Sequence, residues 1–108
     1  MEIVLNKHTT AMTKGGSIYI LTNQRHTVLY TGVTSDLIGR MYQHINKIYS
    51  NSFTKKYNVD KLIYFETYPS IEEAIAREKQ IKAGSRKRKE ELINRFNPPW
   101  EDLYPIIS

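Results

Sequence analysis

Ser17-Ile18-Tyr19-Ile20-Leu21-Thr22 and, after the polar link Asn23-Gln24-Arg25-His26, Thr27-Val28-Leu29-Tyr30-Thr31-Gly32-Val33 decide the fold. Both runs are rich in β-branched and aromatic residues, which suit a pleated, half-buried surface, and both read as strands. A link this short favours an antiparallel hairpin. Side chains alternate across a strand, so Tyr19 shares a face with Ser17 and Leu21, while Tyr30 shares one with Val28 and Gly32.

Downstream the period lengthens. Thr34 or Ser35 is placed to cap a helix with Asp36 in its first turn, and Leu37, Ile38, Met41, Ile45 and Ile48 recur at helical spacing on its buried face. The polar stretch from Ser50 to Asp60 reads as a loop. Lys61-Leu62-Ile63-Tyr64-Phe65-Glu66-Thr67 is a third strand. Pro69-Ser70 opens a second helix with Ile71, Ala74, Ile75 and Ile81 as its apolar stripe. Gly84 is expected to end it in the left-handed conformation, and Ser85 to cap a third helix that runs through Phe96 and stops at Asn97-Pro98-Pro99. The order ββαβαα predicts an α+β domain, a small three-stranded antiparallel sheet flanked by helices. Upstream, Met1 to Gly16 shows no sustained period and ends in Lys14-Gly15-Gly16, with a second methionine at Met12 as an alternative start. Residues 1–16 are therefore expected to be a flexible lead, 17–104 the domain and 105–108 a tail.

The bulk composition narrows the classes. The 108 residues, 40% hydrophobic and 25% charged, amount to one domain with enough chain to bury a core. There is no cysteine, which excludes disulfide scaffolds, thiolate zinc sites and cysteine nucleophiles. No apolar run approaches the ~18 residues of a membrane span and no apolar h-region follows Met1, so a cytoplasmic protein without membrane contact is expected. Sixteen Lys and Arg against eleven Asp and Glu give a formal charge of +5, a balance that favours polyanionic partners.

Three features break the pattern. Glu78 lies seven residues after Ile71 and three after Ile75, so it points with the apolar stripe, and a carboxylate there must be paired, hydrogen-bonded or bound to a metal. A structural ion pair with Arg40, Lys82 or a helix terminus is one reading and a metal ligand the other. Arg40 and His44 stand four apart on one edge of the first helix. Singly they read as a surface charge and a core-edge histidine. Together with Glu78 they supply the cation, proton shuttle and metal ligand that phosphodiester chemistry needs. Third, Lys82-Ala83-Gly84-Ser85-Arg86-Lys87-Arg88-Lys89 holds five positive charges and no negative one. Its cations crowd a helix start, where the macrodipole disfavours them; a phosphate-facing role is one reading and a solvated basic face the other. Of the eight tyrosines, Tyr49, Tyr57, Tyr64 and Tyr68 read as core or surface aromatics.

Ser17-Ile18-Tyr19 followed eleven residues later by Tyr30-Thr31-Gly32 resembles the paired motif of the GIY-YIG nuclease superfamily. Arg40 and His44 stand at that family's Arg and His/Tyr positions, and Ala74-Ile75-Ala76-Arg77-Glu78-Lys79-Gln80-Ile81-Lys82 resembles the segment bearing its glutamate. Asn97-Pro98-Pro99-Trp100-Glu101-Asp102-Leu103 is similar to the ending of its small single-domain bacterial members. The resemblance runs from about Gly16 to Leu103. Ser17 and Thr31 depart from the motif without removing a catalytic group. What the resemblance implies is a metal-dependent endonuclease, a phosphodiester hydrolase acting on DNA. Glu78 would hold one Mg²⁺ or Mn²⁺, completed by water and phosphate oxygen. Tyr19 would be the general base on the attacking water, directly or through a neighbour, with Arg40 and the metal lowering its phenol pKa from the ordinary ~10 and Arg40 also stabilising the transition state. Tyr30 and His44 would position water and phosphate, His44 being a rival base with an ordinary pKa of ~6.5. Asn97 would hold the site's geometry or a phosphate, and Gly32 would let backbone and phosphate approach closely. Lys82, Arg86, Lys87, Arg88 and Lys89 would bind the nucleic acid, and a protein partner could supply specificity. The competing readings are a non-catalytic nucleic-acid-binding module on the same fold and a protein-interaction domain whose basic helix docks an acidic partner.

Overall fold

The computed structural model describes residues 15–48 and 52–108. The hairpin forms from β1 (Gly16–Thr22) and β2 (Leu29–Thr34), and β3 (Lys61–Tyr68) pairs with the other edge of β1. The sheet is antiparallel throughout, in the order β2-β1-β3. Five helices accompany it among the described residues: α1 (Leu37–Ile45), α2 (Ser52–Tyr57), α3 (Ile71–Ala83), α4 (Arg86–Phe96) and α5 (Tyr104–Ile107). The α+β architecture expected from the strand and helix periods is the one observed.

Strand alternation divides the core in two. Ile18 and Ile20 pack with Ala74 and Ile81 of α3 and Ile93 of α4. Tyr19 and Leu21 turn the other way, to Met41 of α1 and to Val59 and Leu62. Every residue of β1 is buried because both faces are covered. The register sets Tyr19 opposite Gly32 and Leu21 opposite Tyr30, so both motif tyrosines face α1. A shift of register between Ile20 and Leu21 marks a bulge in the pairing with β3, and the consecutive Ile63 and Tyr64 both join the α3–α4 side.

Several local expectations are corrected. Asp36, not Thr34 or Ser35, caps α1: its carboxylate accepts the Gly39 N–H at 3.0 Å, while Thr34 Oγ1 accepts the Asp36 N–H at 3.0 Å. Gly39 makes this possible, since a Cβ there would lie 2.2 Å from Asp36 Oδ2. The stretch expected as a loop contains α2, a six-residue helix anchored through buried Thr54 and followed by buried Val59. Gly84 is extended (φ −81°, ψ 164°) and not left-handed, because the chain passes straight into the extended cap residue Ser85. Ile38, Ile48 and Ile75, assigned to apolar stripes, are exposed. Residues 105–108, expected as a tail, mostly continue α5, whose Tyr104 and Ile107 pack on the Tyr19 side of the core. The expected lead lies outside the described residues through Lys14, but Gly16 opens β1 opposite Tyr68 and does not act as a flexible joint.

Candidate active site

Tyr19 is wholly buried at the centre of the sheet, and its phenol is the meeting point of the site. Its Oη lies 3.3 Å from His44 Nε2 and 3.5 Å from Arg40 Nη1. The i,i+4 spacing of Arg40 and His44 on α1 brings both over the same oxygen. The Tyr30 ring stands 6.4 Å from that of Tyr19 and 6.0 Å from that of His44, at tilted and edge-on angles. Gly32 completes the arrangement. A Cβ there would fall 2.5 Å from both Cζ and Oη of Tyr19, so what the missing side chain admits is the phenol itself. That differs from the expected role of making room for a phosphate, and the cause is the register, which seats Gly32 directly across from Tyr19.

The electrostatics fix the charge on His44. Burial, then the Arg40 charge, push His44 down to about 4, with Asp60 pulling the other way. The imidazole is therefore neutral at pH 7. A guanidinium only donates, so Tyr19 Oη accepts from Arg40, and it shares a second hydrogen bond with His44 Nε2 in which the imidazole tautomer decides the donor. Tyr30 and Arg40 are half-buried, while the Tyr19 phenol beneath them is sealed from solvent.

Glu78 is buried, at 8% exposure, although it lies on a helix whose neighbours Lys79 and Gln80 face water. Its partner is Lys82, one turn on, at 2.7 Å. The hydrogen bond to Glu78 raises the lysine's pKa, burial opposes that, and the Glu78 and Tyr30 charges add to the rise. Lys82 thus connects the carboxylate electrostatically with Tyr30 on the edge strand, over which α3 packs. Among the described residues no three His, Asp or Glu gather into a metal cage. A single carboxylate with one oxygen uncommitted to protein suits a hard cation that keeps most of its waters, so the donor chemistry fits Mg²⁺ or Mn²⁺.

The GIY-YIG catalytic domain family matches residues 15–91, from the start of β1 into α4, and so includes Tyr19, Tyr30, Arg40, His44 and Glu78. This chain belongs to the GIY-YIG family. A UPF0213 protein of Syntrophus aciditrophicus is 37% identical to it over 81 residues, 75% of this chain and 91% of the relative. A UPF0213 protein of Staphylococcus epidermidis is 37% identical over 65 residues, 60% of this chain and 78% of the relative. The solution NMR structure of a UPF0213 protein from Bacillus halodurans matches with a TM-score of 0.53 at 28% identity, covering 87% of this chain and 98% of that one. These names assign no reaction, so the relatives carry family and fold while chemistry must be argued from side chains.

Other residues singled out in the sequence are held differently. Asn97 is buried at the end of α4, donating through Nδ2 to the carbonyls of Ile63 and Glu101 and accepting the Glu101 N–H. Both of its donor positions go to backbone, which ties β3 to the turn after α4. Of the basic run, Arg86 bonds the carbonyls of His26 and Thr27 and pairs with Glu90 at 2.8 Å, Lys89 Nζ donates to the Gly84 carbonyl, and Lys82 pairs with Glu78. These contacts explain cations at a helix start. Lys87 and Arg88 remain exposed, and Arg88 and Lys89 share a groove between α3 and α4 with Arg77 and Arg95. Arg95 went unremarked in the sequence, although it follows Arg88 by seven residues and so shares its helix face.

A second buried carboxylate escaped the sequence reading. Glu66 accepts a bidentate pair from Arg77 (Nε at 2.9 Å, Nη2 at 3.1 Å), the Tyr68 hydroxyl at 2.6 Å and the Tyr64 hydroxyl. Burial raises its pKa, but the Arg77, Tyr64 and Tyr68 hydrogen bonds outweigh that and leave it lowered. Burial and the carboxylate push Tyr68 up to about 12, and Tyr64 further.

Proposed function

We propose that this GIY-YIG domain is a divalent-metal-dependent endonuclease that hydrolyses DNA phosphodiester bonds. The observation that carries the reading is the Tyr19 hydroxyl set between Arg40 Nη1 at 3.5 Å and His44 Nε2 at 3.3 Å. In the attack, the water oxygen bonds to phosphorus while the bond to the leaving sugar oxygen breaks. The water's proton passes to Tyr19 Oη, whose own proton moves to the neutral His44 Nε2, and the leaving sugar oxygen takes a proton from solvent water. Arg40 stabilises negative charge developing on the phenol oxygen and on the phosphorane. Tyr30 lines the approach and orients the phosphate. Glu78 would hold the metal, which when bound supplies Lewis-acid stabilisation of the phosphate charge. Lys87 and Arg88 offer charge to the DNA backbone, which favours binding without sequence preference.

One observation favours the rival reading, a binding module without catalysis: Lys82 at 2.7 Å already neutralises the carboxylate that would hold the cation. A divalent ion must compete with that ammonium. The two readings separate on labelled single-stranded, duplex and branched DNA incubated with Mg²⁺ or Mn²⁺. The nuclease reading requires cutting by the wild type and its loss in Tyr19→Phe with DNA binding retained. Binding without cutting on every substrate establishes the module.

A further inference from the structure

Phe53 and Tyr57 stand four residues apart on α2 and project from one side of it. Their ring centroids are 5.0 Å apart, and each residue is 42% exposed. Phe53 stacks on Tyr30, with centroids 6.0 Å apart and planes 29° from parallel, and Tyr30 neighbours Tyr19. The rings thus form a continuous aromatic path from the buried phenol to solvent. Helix α2 is anchored by other residues, buried Thr54 and Val59, with the Val59 N–H bonded to the Thr54 carbonyl at 2.9 Å. A contiguous exposed apolar patch with a charged rim is the usual mark of a binding surface. Here the rim is basic: Lys55 and Lys56 occupy the last turn, and Lys56 Nζ lies 5.4 Å from the Tyr57 ring centroid. The helix carries no acidic residue.

Ring faces interleaved with ammonium groups fit one chemistry, bases stacking on the rings while flanking phosphates meet the lysines. In a duplex the faces of interior bases are covered by their neighbours. Only an unpaired or extruded base offers an open face to a protein ring. We infer that the Phe53–Tyr57 step is a stacking platform for an unpaired nucleotide beside the site at Tyr19 and Tyr30, so that the domain prefers single-stranded and junction DNA to plain duplex. The inference rests on the nuclease reading only in naming what lies next to the platform.

The test is fluorescence anisotropy in EDTA with labelled oligonucleotides, single-stranded, duplex, and duplex with a single-stranded flap. The full-length chain is compared with Phe53→Leu/Tyr57→Leu, with Phe53→Trp, and with Tyr42→Leu, an exposed tyrosine on α1 outside the platform. The wild type is expected to bind the single strand and the flap more tightly than duplex. The double leucine variant is expected to lose about tenfold or more of that affinity while its duplex binding stays level. Phe53→Trp should tighten single-strand binding, and Tyr42→Leu should change nothing. Equal wild-type affinity for all three substrates, or single-strand affinity untouched by both Phe53 variants, overturns the platform. So does a wild-type dimer that the leucine pair dissolves with no effect on DNA, which assigns the patch to a second copy. Cleavage with no single-strand preference sinks the platform and leaves the nuclease reading standing. Single-strand selectivity lost in the leucine variant, with no wild-type cutting under Mg²⁺ or Mn²⁺, does the reverse.

Discussion

Two carboxylates, Glu66 and Glu78, are equally buried at 8% exposure and yet are held in opposite ways. Glu66 receives both prongs of Arg77 and two tyrosine hydroxyls, so its acceptor capacity is taken up by groups from β3 and α3. Glu78 has Lys82, whose own side chain is 56% exposed. The first is closed, a structural lock. The second keeps one oxygen uncommitted, and its partner Lys82 feels the Tyr30 charge. Burial alone therefore does not tell the two carboxylates apart; the count of committed partners does.

The sharpest break of that comparison is to remove charge at each position in turn. Glu66→Gln leaves half-buried Arg77 without its counter-charge, and chemical denaturation is expected to show a loss of about 3–5 kcal/mol. Arg77→Ala should do the same. Glu78→Gln loses a pair exposed on one side and should cost no more than about 1 kcal/mol. An equal loss at both positions would mean that Glu78 is structural as well.

The same Glu78→Gln protein should cut DNA roughly a hundredfold more slowly than wild type, or worse, while binding it as before. Titrating Mn²⁺ checks the cause, since a lost metal ligand raises the metal concentration needed for half-maximal rate. A rate unchanged at saturating metal would return Glu78 to the ion pair with Lys82.

Gly32→Ala probes the side of the site that burial does keep closed. The added methyl would meet Tyr19 Oη at 2.5 Å, so the phenol must leave its place between Arg40 and His44. Overpacking of this kind costs about 1–3 kcal/mol, and cleavage should fall further than stability does. Full activity in this variant would show that the Tyr19 position is not the one used in catalysis.

The legible parts of this molecule are those where one residue's neighbours in sequence also decide its environment. The hairpin was readable because two β-branched and aromatic runs flank a short polar link, and Glu78 was readable because it interrupts an apolar stripe on its own helix; that Tyr19 and Tyr30 share a face follows from the register. Helix α2 was not, since six mostly polar residues carry too short a period and its anchor at Thr54 depends on distant packing. The Glu66 network was equally hidden. Its partners come from two elements, and in sequence Glu66 looks like any outward-facing strand residue. The bulge that turns Ile63 and Tyr64 to the same side, and the cap at Asp36 that needs Gly39, are geometric outcomes that composition does not announce.

A pH titration extends the contrast to His44. Its folded-state value of about 4 lies below the ordinary ~6.5 of the unfolded chain. Between those values the unfolded state binds more protons than the native one, so stability falls as pH drops from about 6.5 towards 4. Glu66, also lowered, loses its contribution only as pH falls through its own folded-state value, below the ordinary carboxylate range. Thermal unfolding across pH should then show two successive losses, and His44→Gln should flatten the upper one. A single loss confined to the carboxylate range, with no difference in His44→Gln, would mean that the imidazole is not desolvated as described.

The smallest effect is expected in the basic run, where the same distinction between committed and available charge recurs. Arg86 is tied to the His26 and Thr27 carbonyls and to Glu90, so Arg86→Ala should lower stability slightly, by no more than about 1 kcal/mol, and leave DNA binding nearly level. Lys87 and Arg88 have exposed charges. Replacing both with alanine should weaken DNA binding several-fold at low salt, on every sequence alike. Each contact they make releases about one counterion, so the slope of log affinity against log salt should shrink by up to about 2. Thermal stability should not move. If Arg86→Ala instead flattens the slope while the Lys87/Arg88 pair does not, the protein-bound arginine is also the one that meets the phosphate, and partner count fails as a guide to function on α4.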